Sequence, residues 1–541
     1  MKKKFTILAL VGLLFGLGVI VIALTQSNTP LEKYIIGRYA QLENLTSNGQ
    51  PEQTPNQQSE TTTPSQQIPE DEFPSEFNQT TPKGGFVIRG VIEGFYGNPW
   101  TTAQRITMFA FMGQQHLNTY VYAPKDDPYQ RANWGTPYPI DQLQQLKTLV
   151  QRATANGVDF VYSTSPGIPS PLSGETLTSA QVANSITFTS KADVQRLEGK
   201  IDQLRSIGVH TFMLSFDDVE HYLKSSDQPV YGSDYPKAHI DLANKLVKDE
   251  TANDPGFRLW LTPTDYYGLK DSTYWSTIRL HLDPSVQVIW TGSWVLNQSI
   301  TGSQAEQVGR LLGRKPLVWD NYPVNDYTYS VKKAPQLLMG PLINRSDDLS
   351  VYTGGVLANP MLQAEASKIA LYTVAQYLYN PSQYSPLQAW DAAIQNISGL
   401  GDVSAFRRFC QYSSQSTLNA SNNTEFANLA SAFWQEYQSG EHGPSELALQ
   451  KELQLLSALP DNLNQTITNQ ELLSEIDPWV LKLGEEGQVG LQALAYLDLS
   501  NNDPQKLTAK SQFQTSLQHL INNNLQIGSE VLSFIKEAGS K

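Results

Sequence analysis

The length of 541 residues predicts more than one domain or one large fold with an appendage, and the 40 % of hydrophobic residues is enough to bury a sizeable core. Its 38 Lys and Arg against 52 Asp and Glu give a net charge of −14, which argues against a nucleic-acid partner because phosphate contacts need a basic face. The single cysteine, Cys410, excludes an intramolecular disulfide and a cysteine-based zinc or iron–sulfur site.

The first 83 residues fall into two parts. Three lysines precede residues 5–24, an almost wholly apolar run that is long enough to span a bilayer as a helix. The run is longer than the apolar core of a secretory signal and ends in a poor cleavage site, so residues 1–24 are predicted to be an uncleaved signal anchor, with a cleaved signal peptide as the alternative. The lysines predict a cytoplasmic start and an extracellular remainder. Residues 25–83 are rich in Gln, Thr, Ser and Pro and predict a disordered, low-complexity linker.

Residues 84–385 alternate short apolar runs with longer amphipathic stretches. Eight runs predict strands, namely Phe86–Ile92, Asn118–Tyr122, Val158–Ser163, Thr211–Phe216, Phe257–Thr262, Val286–Thr291, Pro316–Trp319 and Gly354–Leu357. The stretches between them predict helices such as Ala103–Gly113, Ile140–Asn156, Lys191–Ile207, Ala238–Thr251 and Ala305–Gly313. Eight β/α units in about 300 residues predict an α/β protein with a (β/α)8 TIM barrel. A doubly wound open sheet is less favoured because no glycine-rich dinucleotide loop follows the first strand.

Functional groups of a (β/α)8 barrel lie just after the strands, at the C-terminal face. Polar and aromatic residues cluster at those positions in this chain: Glu93 to Gly97, Lys125 to Asp127, Asp217 and Asp218, Asp265 to Tyr267, Trp294, Asp320 and Asn321, Asp326, and Asn359. The repeated coincidence with strand ends predicts a polar site at that face.

Asp217 and Asp218 are the strongest candidates for catalysis. Two adjacent carboxylates after an apolar strand are costly to desolvate unless they are paired or used. They point in different directions, and their repulsion is expected to raise the pKa of one of them, which would keep that carboxyl protonated as a general acid. From the residues alone, a metal pair or a solvated loop stays open.

The stretch from Trp319 to Asp326 predicts a sugar subsite, because the indole ring of a tryptophan can stack on a sugar and the neighbouring amide and carboxylates can bind its hydroxyls. Ordinary packing of the tryptophan is the alternative.

No metal site and no cofactor are predicted, because the seven histidines form no H-E-x-x-H pattern and the chain has no P-loop. It also lacks a G-x-S-x-G elbow. Cys410 lies in a helical pattern and is predicted to be a packing residue.

Six motifs in order give the chain a family resemblance. They are GVIEGFYGNPWT at 90–101, YAPKDDPY at 122–129, FDDV at 216–219, TPTDY at 262–266, WDNYPVNDY at 319–327 and GVLANP at 355–360. The region 86–380 thereby resembles glycoside hydrolase family 84, the β-N-acetylglucosaminidases that include O-GlcNAcase and bacterial enzymes once called hyaluronidases.

The resemblance implies a TIM barrel and a retaining, substrate-assisted mechanism, in which the 2-acetamido group of the substrate is the nucleophile. By motif match, Asp217 would accept the acetamido N–H, Asp218 would act as the acid and then the base, and Tyr266 would donate to the acetamido oxygen. The other predicted substrate-binding residues, with Asp320 added from the strand-end pattern, are Gly94, Lys125, Trp319, Asp320, Asn321, Asp326 and Asn359.

The pattern of residues 386–541 predicts an all-α bundle beside the barrel. Support of the barrel is the default role, and shaping of the substrate groove and dimerisation are the alternatives. Apolar residues recur at three- and four-residue spacing in Ser445–Leu459, Asn469–Leu483 and Leu507–Ile521, with Pro and Gly between these segments.

The leading hypothesis is an exported, membrane-tethered exo-β-N-acetylglucosaminidase that acts on a glycan or glycoprotein bearing GlcNAc. One alternative is a non-hydrolytic glycan-binding surface protein, against which the retention of both aspartates counts. Another is an endo-acting glycosaminoglycan hydrolase, which the charge of −14 disfavours because a polyanion would be repelled.

Overall fold

A computed structural model describes residues 84–172, 175–326, 336–398, 403–416, 418, 424–440 and 443–541. The predicted anchor at 1–24 and linker at 25–83 lie outside these ranges, and both stay predictions. Within the described ranges, no helix combines the length and the apolar character needed to cross a bilayer.

Eight parallel strands close into a barrel in chain order, each pairing with the next and the last with the first. Every observed strand starts and ends within two residues of its prediction, which confirms the TIM barrel. The strands are β1 (Ile88–Glu93), β2 (Thr119–Tyr122), β3 (Asp159–Thr164), β4 (Thr211–Ser215), β5 (Arg258–Thr262), β6 (Gln287–Trp290), β7 (Leu317–Asp320) and β8 (Gly355–Ala358).

Side chains alternate between the two faces of each strand. One set fills the barrel interior as a separate apolar cluster: Ile92, Val121, Ala123, Val161, Met213, Trp260, Ile289, Leu317, Trp319 and Leu357. The other set points outward and packs under the helices. Burial on both faces explains why the strands are almost continuous apolar runs.

Helices connect the strands and cover the barrel. The set is α1 (Thr102–Gln114), α2 (Ile140–Ala155), α3 (Ser179–Asn184), α4 (Lys191–Arg205), α5 (Gln228–Tyr231), α6 (Tyr235–Asn253), α7 (Thr273–His281), α8 (Gly302–Leu312), α9 (Leu349–Tyr352) and α10 (Ala364–Tyr379). Five of them, α1, α2, α4, α6 and α8, match the five predicted segments to within three residues at each end.

Local sequence fixes where several of these helices begin. Thr101 accepts a hydrogen bond from the backbone N–H of Gln104, whose side chain in turn accepts from the N–H of Thr101. Thr301 and Gln304 form the same reciprocal pair at the start of α8. Such capping boxes satisfy N–H groups that the first helical turn leaves without partners. Helices α1 and α8 therefore each begin at a defined residue after the preceding strand.

A helical region follows the barrel, as predicted, and belongs to the same compact unit. One continuous hydrophobic core runs from the outer faces of the strands into it. Cys410 is buried there, in agreement with a packing role. The helices are α11 (Pro386–Ser398), α12 (Ser404–Tyr412), α13 (Thr424–Ser439), α14 (Pro444–Ser457), α15 (Leu459–Thr466), α16 (Gln470–Asp498), α17 (Lys506–Asn522) and α18 (Ser529–Gly539).

Helix α16 is much longer than the predicted segment Asn469–Leu483. It continues through Gly484 and Gly487, two glycines that the sequence pattern treats as a stop. A side chain at Gly487 would meet the backbone of Ser457. The glycines therefore let two helices approach closely, and this contact overrides their low helix propensity.

Glu93, a candidate functional group at the end of β1, is wholly buried in a structural network. Arg105 donates two hydrogen bonds to its carboxylate, at 2.8 Å from Nε and 2.7 Å from Nη2. The backbone N–H of Trp100 and the hydroxyl of Tyr120 donate to the same carboxylate. This network ties the loop after β1 to helix α1.

Replacing Arg105 with Ala is expected to lower the free energy of unfolding by ~3–5 kcal/mol, because it leaves the Glu93 carboxylate buried without its counter-charge. Urea unfolding followed by circular dichroism measures the effect. The control is Arg310→Ala, which breaks the exposed pair with Glu306 and should cost about 1 kcal/mol or less. Equal losses in the two variants would contradict a stabilising role for the buried pair.

Candidate active site

Most of the predicted site residues meet at the C-terminal face of the barrel. Gly94 follows β1, Lys125 follows β2, and the aspartate pair follows β4. Tyr266 follows β5 and Asn359 follows β8. Because parallel strands direct their carboxyl ends to one face, residues far apart in sequence become neighbours.

Asp217 is buried and lies beside two cations. The Lys125 ammonium forms an ion pair and a hydrogen bond with Asp217 Oδ2. The Nη2 atom of Arg131 lies 3.9 Å from the same oxygen. Asp217 Oδ1 is also buried but accepts no hydrogen bond from the described residues. One oxygen is thus held by the protein, and the other is available to a donor on a ligand.

Asp218 is partly exposed and lies in a strained position. Its φ of +51° falls in the left-handed region, which is uncommon for residues other than glycine. The hydroxyl of Tyr96 donates to Asp218 Oδ2 at 2.7 Å, and the hydroxyl of Tyr266 donates to Oδ1 at 3.1 Å. The strained turn therefore directs the Asp218 carboxylate to two tyrosines, away from the Lys125 contact of Asp217.

The electrostatics of Asp218 differ from the sequence-based expectation. Desolvation by the surrounding protein acts to raise its pKa, but the charges of Lys125 and Arg131 and the hydrogen bonds from Tyr96 and Tyr266 together lower it below its usual range. The expectation was that repulsion between the two carboxylates raises the pKa of one of them. For Asp218 the direction is the opposite, because the two cations and the two tyrosine donors outweigh desolvation.

A chain of amide contacts lies on the other side of the site. The Oδ1 atom of Asn359 accepts from the backbone N–H of Gly94 at 3.3 Å. Its Nδ2 donates to Asn321 Oδ1 at 3.0 Å, and Asn321 Nδ2 donates to the carbonyl of Val295 at 2.9 Å. These bonds fix which end of each amide is a donor and which is an acceptor.

Asp326 follows β7 and joins this group of residues. Its Oδ2 accepts from the backbone N–H of Tyr96 at 2.8 Å. Desolvation raises the pKa of Asp326 to about 6, with Asp218 adding to the rise and Lys125 opposing it. The carboxylate is therefore an acceptor at neutral pH that becomes protonated at moderately acidic pH.

Trp319 lies at the upper end of the barrel interior, below these polar groups. Lys125 Nζ is 5.4 Å from the centre of its indole ring. Gly94 packs so closely that any β-carbon there would overlap the indole ring. Glycine is required at this position because of the close approach to the indole ring. Its backbone conformation is not the reason, since its φ is not in the left-handed region.

Asp320 differs from its predicted role as a sugar contact. Both of its oxygens accept from the Arg345 guanidinium, at 2.8 and 2.7 Å, and the pair is buried. Asp320 also accepts at its backbone carbonyl from the N–H of Asn359. The structure thus places Asp320 as a support of the loops that carry Asn321 and Asn359.

Two residues of the site, Tyr96 and Arg131, had no individual role in the sequence-based prediction, although Tyr96 lies in the predicted cluster after β1. Tyr96 lies within the GFYG motif after β1, so the motif itself was a signal for it. Arg131 lies in the loop after Lys125, and no spacing pattern marked it. Within the described ranges, no three His, Cys, Asp or Glu side chains lie close enough together to hold a metal ion.

Two family models match the chain. A β-N-acetylglucosaminidase model matches residues 89–411, and a hyaluronidase post-catalytic domain-like model matches residues 425–535. The first covers more than half of the chain and includes the whole barrel. This chain belongs to glycoside hydrolase family 84. It is therefore a glycoside hydrolase of the β-N-acetylglucosaminidase type.

This family 84 chain is similar in sequence and in structure to proteins named O-GlcNAcase or O-GlcNAc hydrolase. The protein O-GlcNAcases of Rattus norvegicus and Mus musculus are each 33 % identical to it over 294 residues, which are 53 % of this chain and 29 % of theirs. The chain thus covers less than a third of those relatives. Its structure resembles a mutant O-GlcNAc hydrolase of Thermobaculum terrenum (TM-score 0.76, 29 % identity, 84 % of this chain and 94 % of that one). It also resembles CpGH84B (TM-score 0.71, 28 % identity, 84 % and 77 %).

Gly94→Ala is expected to displace Trp319 and to reduce kcat/KM on an aryl β-GlcNAc substrate by ~10-fold or more, because overpacking at a close contact costs more than about 1 kcal/mol. Release of the aryl group measures the rate. The matched control is Gly199→Ala in α4, where a β-carbon meets open space, and it should leave the rate unchanged. A Gly94→Ala rate equal to wild type would contradict the tight fit.

Proposed function

We propose that this enzyme is a retaining exo-β-N-acetylglucosaminidase that uses the 2-acetamido group of its substrate as the nucleophile. The observation that carries the proposal is the aspartate pair after β4, whose two members have different partners. Asp217 is held by cations, and Asp218 is held by two tyrosine hydroxyls. Adjacent carboxylates with separate surroundings can perform separate tasks.

Asp217 has the surroundings of a group that orients a substrate N–H, because one of its oxygens is held by a cation and the other is not. Lys125 holds Oδ2, which leaves the buried Oδ1 to accept from the acetamido nitrogen. That hydrogen bond would orient the acetamido oxygen toward the anomeric carbon. It would also stabilise the positive charge that develops as the oxazoline ring closes.

Asp218 is proposed to protonate the leaving oxygen and later to remove a proton from water. In the ligand-free enzyme its lowered pKa favours the ionised form, with Tyr266 as one of its two donors. If Tyr266 donates instead to the acetamido oxygen of a bound substrate, Asp218 loses that hydrogen bond. A hydrogen bond to the carboxylate stabilises its charged form, so losing the bond from Tyr266 would raise the pKa of Asp218. Substrate binding itself would therefore favour the protonated form that acts as the acid.

The polar groups on the other side of the site from the aspartate pair can bind the hydroxyls of a single sugar ring. The Asp326 carboxylate and the amides of Asn321 and Asn359 converge on the same side of the site as Gly94. Trp319 supplies an apolar surface below them. Such a combination of an apolar plate and convergent polar groups suits a pyranose ring, whose faces are apolar and whose edges are polar.

We infer that the natural substrate carries terminal β-linked GlcNAc on a glycan or a glycoprotein. The relatives named O-GlcNAcase and O-GlcNAc hydrolase support this class of substrate. Membership of a hydrolase family argues against the non-hydrolytic alternative.

The sizes of the products from a defined oligosaccharide distinguish exo from endo action, since only exo cleavage releases single GlcNAc residues. The membrane anchor and an extracellular location stay predictions from residues 1–24.

Asp218→Ala is expected to slow hydrolysis of substrates with poor leaving groups far more than that of activated aryl β-GlcNAc substrates, since only the former need protonation. The comparison is kcat/KM across aryl leaving groups of graded pKa. Asp217→Ala is the matched control and should slow both kinds of substrate, because it removes orientation of the nucleophile. A loss in Asp218→Ala that is independent of the leaving group would contradict the acid role.

The pH profile of kcat/KM should show an acid limb near pH 6, below which Asp326 is protonated and one of its oxygens becomes a donor instead of an acceptor for a sugar hydroxyl. Asp326→Asn removes this ionisation, so its lower rate should vary less between pH 5 and 7 (a window of about one unit on each side of that pKa). The control is Asp241→Asn, at a half-buried position in α6 that forms an ion pair with Lys237, and it should keep the wild-type profile. An unchanged acid limb in Asp326→Asn would assign that limb to another group.

A further inference from the structure

Glu475 projects from the helical region onto the barrel. It lies in the first turns of α16, and its Oε2 accepts from the backbone N–H groups of Glu365 at 2.8 Å and Ala366 at 3.0 Å. Those N–H groups belong to the first turn of α10, the helix that follows β8. The N-cap residue of α10, Gln363, makes no capping hydrogen bond with its own side chain. Glu475 therefore supplies from another part of the chain the cap that α10 lacks.

The other oxygen of Glu475 reaches a second barrel helix. Gln104 Nε2 donates to Glu475 Oε1 at 3.1 Å. Gln104 is also half of the capping box that starts α1, through the bond from Thr101 N–H to its Oε1 at 2.9 Å. Helices α1 and α10 follow β1 and β8, which pair with each other where the barrel closes. One carboxylate thus joins the starts of two helices that follow neighbouring strands.

Charged groups surround this contact. Glu365 accepts from Asn469 Nδ2 at 2.9 Å, and it forms an ion pair with Lys368. Desolvation raises the pKa of Glu475 to about 7, and the charge of Glu365 adds to the rise. Both the ionised and the protonated carboxyl keep an oxygen that can accept from the two backbone N–H groups, so the cap does not depend on one charge state.

The start of α10 is also the junction of the loops that build the sugar side of the active site. Gln363 Oε1 accepts from Asn325 Nδ2 at 2.9 Å, and the N–H of Leu362 donates to Asn325 Oδ1 at 3.1 Å. Asn325 is buried and directly precedes Asp326. The Trp100 indole N–H donates to the carbonyls of Met361 and Leu362, which ties in the loop after β1.

We propose that Glu475 is a positioning residue for the glycosidase reaction: it caps α10 from the helical region and thereby holds the loops that carry Asn359 and Asp326 in their sugar-binding geometry. Its effect on catalysis rests on the proposed function, because that function assigns sugar contacts to these two residues. The helical region then contributes to the active site as well as to the stability of the fold.

The test compares four variants of the full chain with an aryl β-GlcNAc substrate. Glu475→Ala removes the cap, and Glu475→Asp keeps the charge on a side chain that is too short to reach α10. Both are expected to lower kcat/KM by ~10-fold or more, mainly through KM, since a misplaced binding group weakens substrate binding. Glu475→Gln keeps an oxygen for the helix N–H groups and loses only the Gln104 contact, so it should recover to within ~3-fold of wild type. The control is Glu471→Ala, on an exposed residue of the same helix, which should match wild type.

A second measurement is independent of the reaction. Amide hydrogen exchange of the ligand-free variants should be faster in the segment 359–366 for Glu475→Ala and Glu475→Asp, and close to wild type for Glu475→Gln and Glu471→Ala. Unchanged KM and unchanged exchange in a folded Glu475→Asp variant would overturn the proposal, as would Glu475→Gln losing as much as Glu475→Asp. A wild-type chain that hydrolyses no β-GlcNAc substrate would instead overturn the proposed function, and the exchange measurement would still decide whether Glu475 positions the loops.

Discussion

The closure of eight parallel strands is the constraint on which the rest of this structure depends. Because every strand runs in the same direction, the segments after the strands all reach one face. That face brings together Gly94, Lys125, Asp218, Tyr266 and Asn359, which are far apart in the chain. An apolar cluster that includes Trp319 fills much of the barrel interior, so the polar groups above it lie on a packed, apolar base. An apolar base lowers the local dielectric constant and thereby strengthens the electrostatic interactions of the site.

Charge compensation is the second requirement of the site. Two adjacent carboxylates near a desolvated pocket would destabilise the fold if they were left alone. Lys125 and Arg131 provide the compensation for Asp217, and the hydroxyls of Tyr96 and Tyr266 provide it for Asp218. The same contacts give the two carboxylates different partners, cations for Asp217 and tyrosine hydroxyls for Asp218. The division of catalytic work proposed above rests on this difference in surroundings.

Much of the fold could be predicted because its signals are local. Apolar runs marked all eight strands, and amphipathic periodicity marked the longer stretches between them as helices. The predictions were wrong or incomplete where the decisive partner is distant in sequence. Helix α16 continues past Gly484 because glycine permits close packing against the preceding helices. Asp320 resembles a sugar ligand in a local pattern, but Arg345 occupies both of its oxygens.

The sequence by itself determined the family, through six ordered motifs, because motifs depend only on residue type and spacing. It indicated the aspartate pair as the candidate for catalysis. It also determined the alternation of strands and helices, since burial on one or both faces leaves a periodic pattern. Only the tertiary structure decided which oxygens of Asp217 and Asp218 are held and which is available. It alone placed Arg131 beside the pair and Glu475 at the start of α10. Hydrogen bonds and ion pairs between segments are set by distance and angle in the folded chain, and no local pattern of residues records them.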